Sequence, residues 1–312
     1  MRSKNIAACA RPVRATGQKN LQKQAQRGVT LIELMVGLTI GLLTIAAAMG
    51  ALMVSRSISG TVSDASNVQQ QASYAMRVIG QQLRQAGSLR LNLDPGTSSA
   101  ESTYLIAAAF EAKVEPAGSD PGFNPVTQTI TGKNAPGTDE YALSVGYRNY
   151  TEPVFINASA PLSLHRNCLG ESGTGSLILS QFQLYTPASD PTRRELRCAG
   201  TGTPQPIINN VANFQVRYLL QDKTTTPGTS TIKAVDAAGV GSNWSQVQAV
   251  EVCLVLYGSE AIDMPAGSTY TNCDGTAVNM TTLTGARNKR MHIAFRNTFQ
   301  LRSQGLIGSV LN

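Results

Sequence analysis

Hydrophobic and polar positions divide the chain into three stretches. Residues 34–54 read LMVGLTIGLLTIAAAMGALMV, 21 positions without a charge. At about 1.5 Å per helical residue this is roughly the 30 Å of a bilayer's hydrocarbon core, so it predicts a membrane-spanning helix. Over residues 57–86 the pattern becomes amphipathic, with Val68, Ala72, Ala75 or Met76, Ile79, Leu83 and Ala86 recurring at steps of three and four. That spacing predicts one buried stripe, with Gln69, Gln70, Gln71, Arg77, Gln81, Gln82, Arg84 and Gln85 on the other faces, Gly60 loosening the middle and Gly87 ending the helix. Residues 88–103 and 115–138 are rich in Gly, Pro, Ser and Thr and predict loops. Alternation then sets in at Tyr141, Leu143, Val145 and Tyr147, and again at Leu177, Leu179, Phe182 and Leu184 with a slip. The strongest strand segments are residues 207–221 (IINNVANFQVRYLLQ), 246–257 (QVQAVEVCLVLY) and 290–301 (RMHIAFRNTFQL). These patterns predict an α+β chain whose long N-terminal helix, one half membrane-spanning and the other amphipathic, packs on an antiparallel sheet.

Charge refines the picture. The formal net charge of +7 by itself points to nucleic acid or a membrane surface. Its distribution argues against nucleic acid: Arg2, Lys4, Arg11, Arg14, Lys19, Lys23 and Arg27 precede the apolar stretch with no Asp or Glu among them, and account for the whole excess. A positive run before an apolar segment holds that end in the cytoplasm during insertion. The remainder is low in charge, has a single Trp, and lacks the dense aromatic core of many enzymes. Glu33 is the only ionisable residue between Val29 and Ser55; a carboxylate at the edge of a spanning helix is costly and takes a partner, or else reaches the headgroups.

The string Arg27-Gly28-Val29-Thr30-Leu31-Ile32-Glu33 resembles the processing site of type IV prepilins and pseudopilins: a basic residue, Gly, the scissile bond, then a glutamate fifth in the mature chain. The resemblance implies cleavage between Gly28 and Val29 by a membrane prepilin peptidase and N-methylation of Val29, where the family usually has Phe. It also implies that Glu33 neutralises the new amine of an adjacent subunit during assembly. Gly28 suits a peptidase cleft because it has no Cβ. With the late strand set, the N-terminal region looks like the PilW group of minor pilins and, more distantly, the J-type minor pseudopilins of type II secretion. The implied divisions are a cleaved basic leader (1–28), a transmembrane and filament-core helix (29–55), its amphipathic continuation (56–87) and an exported β-rich domain (88–312). The implied partners are the prepilin peptidase, other major and minor pilins, and the inner-membrane assembly platform. The implied location is the bacterial inner membrane, N-terminus cytoplasmic and C-terminal domain periplasmic, and then the filament. A structural subunit with neither catalytic role nor cofactor is expected. The competing readings are a secretory signal cut near Ala46-Ala47-Ala48 and a signal-anchored binding or hydrolytic protein.

Of five cysteines, Cys9 leaves with the leader; Cys168, Cys198, Cys253 and Cys273 remain in an oxidising compartment. Three pairings are open. Cys168 with Cys198 and Cys253 with Cys273 is favoured, since each joins neighbours and staples a Gly-rich excursion, contributing roughly 3 kcal/mol apiece. Zinc is disfavoured because there is no CxxC pair and only His165 and His292 are available. Neither histidine has a nucleophile motif nearby. The GESGTG string at residues 170–175 reads as a turn rather than a phosphate loop. Arg193, Arg194 and Arg197 read as a solvated strand face in preference to a polyanion contact.

Overall fold

The computed structural model describes residues 28–89, 122–137, 140–155, 157–173, 175–222 and 231–302. Most of the expected leader, Cys9 and Arg27 among it, and much of the two predicted loops lie outside the described residues. The chain forms two compact units, Met1–Ser55 and Arg56–Asn312, and helix α1, Leu31–Gln85, runs through Gly60 without a break.

In the first unit α1 opens on a capping arrangement. Thr30 Oγ1 accepts the Glu33 amide at 3.3 Å and the Thr30 carbonyl accepts the Leu34 amide at 3.1 Å, and Glu33 sits in the first turn, where a helix dipole favours negative charge. The two threonines of the apolar stretch are satisfied within the helix: Thr39 donates to the Val36 carbonyl at 2.9 Å and Thr44 to the Gly41 carbonyl at 2.8 Å. No unpaired hydroxyl therefore opposes transfer into lipid.

In the second unit the rest of α1 buries Val68, Ala72, Ala75, Ile79, Leu83 and Ala86, with Met76 half-buried beside them. Two antiparallel sheets complete the core. The five-stranded sheet has the order β1-β2-β5-β6-β7, from Ile130–Thr131, Leu143–Arg148, Leu177–Tyr185, Glu195–Ala199 and Gln205–Ile208. The four-stranded sheet has the order β13-β10-β8-β9, from Arg290–Gln300, Val247–Ala261, Val211–Asp222 and Thr231–Val235. Two short ribbons accompany them, β3–β4 (Thr151–Val154, Asn157–Ser163) and β11–β12 (Thr269–Thr271, Ala277–Asn279). Short helices α2, Pro125–Gln128, and α3, Ala237–Val240, are capped by the side chains of Asn124 and Asp236. α2 and β1 lie in a stretch whose composition predicts only loop.

The continuous apolar run in β10 follows from burial on both faces. Strand residues alternate sides: Val250, Val252, Leu254 and Leu256 join the main core with α1, whereas Cys253, Val255 and Tyr257 join a lesser core with Cys273, Ala212 and Tyr270. Two expectations need correction. The segment predicted over 207–221 is two strands, because Asn210 takes a left-handed turn (φ 57°) after β7. Gln82, assigned to a polar face, is buried. Its Oε1 accepts from Tyr147 at 2.8 Å and Ser180 at 2.9 Å, and its amide donates to the Arg166 carbonyl at 3.4 Å. Burial raises the Tyr147 hydroxyl well above the ordinary tyrosine pKa.

Candidate processing and assembly site

The prepilin-like residues occupy the start of the first unit. Gly28, Val29 and Thr30 precede the helix and are exposed; Val29 is 68% exposed, and among the described residues no atom beyond the chain neighbours lies within 4 Å of where a Gly28 Cβ would stand. The two residues of the Gly28–Val29 bond are both exposed. Glu33 follows within the first helical turn, also exposed, with its carboxylate unpartnered among the described residues. None of the apolar stretch that follows is buried. Leu31, Ile32, Leu34, Leu38, Leu42, Leu43 and Met53 are all more than half exposed. A contiguous apolar surface of this size marks a membrane or protein contact.

The other sequence-derived candidates lie in the second unit. Disulfides join Cys168 to Cys198 across 30 residues and Cys253 to Cys273 across 20. The first has Cys198 within the main core and Cys168 packed against it, and the second lies within the lesser core. No group of acidic, histidine or cysteine side chains arranged to hold a metal occurs among the described residues. His165 is half-buried and edge-on to Tyr147 at 5.7 Å. His292, on β13, is buried and stacked on Tyr270 at 4.6 Å, with Nδ1 2.8 Å from the Arg290 carbonyl. Desolvation, reinforced by the Arg287 charge, lowers its pKa against the opposing effect of that carbonyl. Residues 167–170 form a turn closed by the Gly170 amide on the Asn167 carbonyl.

Sequence pattern missed Asp64. It is buried, and its carboxylate accepts from the Ser259 amide and hydroxyl, both at 2.8 Å, and from the Glu260 amide at 3.3 Å. The carboxylate fastens the amphipathic half of α1 to the far end of β10. Its one legible signal is the acidic residue one turn before Val68, on the side of the stripe.

Comparison with known proteins agrees with these features. The family described as Type IV Pilus-assembly protein W matches residues 172–303, which contain β5, β6 and the whole four-stranded sheet, and the prokaryotic N-terminal methylation motif matches residues 23–49. A basic N-terminal stretch, a lone glutamate and an uncovered apolar helix followed by this β-rich domain are the features of a type IV pilin-like prepilin. Within that class the chain is similar to the PilW group of minor pilins, proteins of type IV pilus assembly, over residues 172–303. A solved type IV-like pilin from Thermus thermophilus aligns at 12% identity over 76% of this chain and 96% of its own, with a TM-score of 0.34. No curated protein matches the chain.

Proposed function

We propose that a prepilin peptidase cuts this minor pilin between Gly28 and Val29 and methylates the Val29 amine, and that Glu33 then pairs with the amine of a neighbouring subunit. The exposure of residues 29–54 carries this reading. A helix with no part of its apolar stretch buried needs lipid before assembly and other pilin helices afterwards. Moving a carboxylate into such surroundings alone is costly, and an ammonium group on a sister helix offsets that cost. Pairing them also sets how far one helix slides along the next. On this reading the N-terminus faces the cytoplasm, the β-rich domain faces the periplasm, and major and minor pilins and the inner-membrane assembly platform are the contacts. The four remaining cysteines fit that oxidising compartment.

The test separates processing from assembly. Glu33→Ala leaves cleavage largely intact, because the scissile bond and its flanks are unchanged, and it reduces incorporation into sheared filaments; Glu33→Asp retains part of it. Normal incorporation of the Ala variant would remove the role given to Glu33.

A further inference from the structure

Three basic side chains gather beside the lesser core and are short of acceptors. The loop before β6 is stitched to the turn at Gly285–Arg287: the Ala286 amide donates to Thr192 Oγ1 at 2.8 Å, and the Tyr257 hydroxyl donates to the Thr192 carbonyl at 3.2 Å. Arg194 and Arg287 are thereby neighbours, near enough for the charge of Arg287 to bear on Arg194, and both act on Tyr257 and Tyr270. His292, 6% exposed, lies against the same two tyrosine rings.

Three other arginines nearby are neutralised. Arg193 pairs with Asp190 at 3.3 Å, Arg197 with Glu195, and Arg296 with Glu251 at 2.6 Å. Among the described residues neither Arg194 nor Arg287 has a carboxylate partner, and the Nε of each is buried without an acceptor; the Nε2 of His292 is buried and unpartnered as well. Buried donors without acceptors are rare in folded proteins and point to a missing water or ion, and two like charges at the edge of a core repel. An oxyanion answers both conditions, since a guanidinium fork binds carboxylate or phosphoryl oxygens through paired N–H groups.

We propose that Arg194 and Arg287 form an oxyanion-binding site walled by Tyr257 and Tyr270, which receives a carboxylate or phosphoryl group. The site is independent of the processing at Val29. It is tested on the full chain in detergent micelles, following thermal unfolding while sodium phosphate or sodium acetate replaces sodium chloride at constant ionic strength. A ligand that binds the native state alone raises the unfolding midpoint saturably. At least one salt does so, Arg287→Gln weakens the apparent affinity roughly tenfold, as expected for loss of a charge-assisted contact, and Arg194→Lys, which keeps charge without the fork, gives a smaller loss. Arg193→Gln leaves the response unchanged. A response to phosphate alone assigns a phosphoryl ligand, and a response to acetate, alone or alongside phosphate, assigns a carboxylate. No stabilisation of the wild-type chain beyond chloride overturns the proposal, as does an effect that fails to saturate or that persists undiminished in Arg287→Gln; the wild-type comparison decides even where a variant does not fold.

Discussion

Asp64 is a single carboxylate on which one contact between helix and sheet depends. It accepts two backbone amides and a hydroxyl from residues 259–260, and Gly258 passes so close that a Cβ there would collide with it. Hydrogen bonds to a charged group contribute more than neutral ones, and removing the acceptor strands buried donors. Asp64→Ala accordingly costs about 3 kcal/mol in a chemical denaturation midpoint, and Asp64→Asn, which keeps one acceptor, about half as much. His292 makes a pH prediction. Burial lowers its pKa in the folded chain below the ordinary value of 6.5, so the unfolded chain takes up a proton first as pH falls. Stability from the neutral ring is present above about 6.5 and is lost below it, by up to about 1.4 kcal/mol per pH unit until the folded-state value is reached. The groups facing the ring, Tyr257, Tyr270, the Arg287 charge and the Arg290 carbonyl, supply no carboxylate to reverse that sign. Denaturation in chloride between pH 7.5 and 5.5 shows this loss for the wild type and a flatter profile for His292→Gln.

At the scale of elements, the amphipathic half of α1 was legible because its stripe follows helical periodicity, and β10 because burial on both faces leaves an unbroken apolar run. Asp64 and Gln82 were not legible. A polar side chain on a helix reads as a solvent face unless its partner is known, and Asp64 finds Ser259 at a sequence separation of 195. The break between β7 and β8 was missed because Asn209 and Asn210 interrupt only briefly a segment of strong strand character. Helix and sheet also meet through an absence of side chain. Gly80 is buried, and a Cβ there would lie 2.3 Å from Cε1 of Phe299 on β13. Helix propensity favours Ala at that position by about 1 kcal/mol, yet Gly80→Ala displaces a ring packed against the core. Overpacking of this kind costs about 1–3 kcal/mol, so the variant unfolds at a lower denaturant concentration.

For the whole molecule, charge and hydrophobicity are separated along the chain. The basic excess stands before Val29, the uncovered apolar helix follows, and the β-rich domain is close to balanced in charge. This arrangement was the most legible of all, since charge runs and apolar runs need no tertiary contact to be read. The lesser core with its arginine pair was the least legible, because Arg194, Tyr257, Tyr270, Arg287 and His292 come together only through the docking of separate loops. The claim from which the rest follows is that the leader is removed at Gly28 and the new end becomes part of the assembling subunit. Intact mass and N-terminal peptide analysis of the protein from its native cell tests it directly. The expected chain begins at Val29 and carries a methyl group on its amine; a chain that retains the Gly28–Val29 bond, or one that begins near Met49, would contradict this claim.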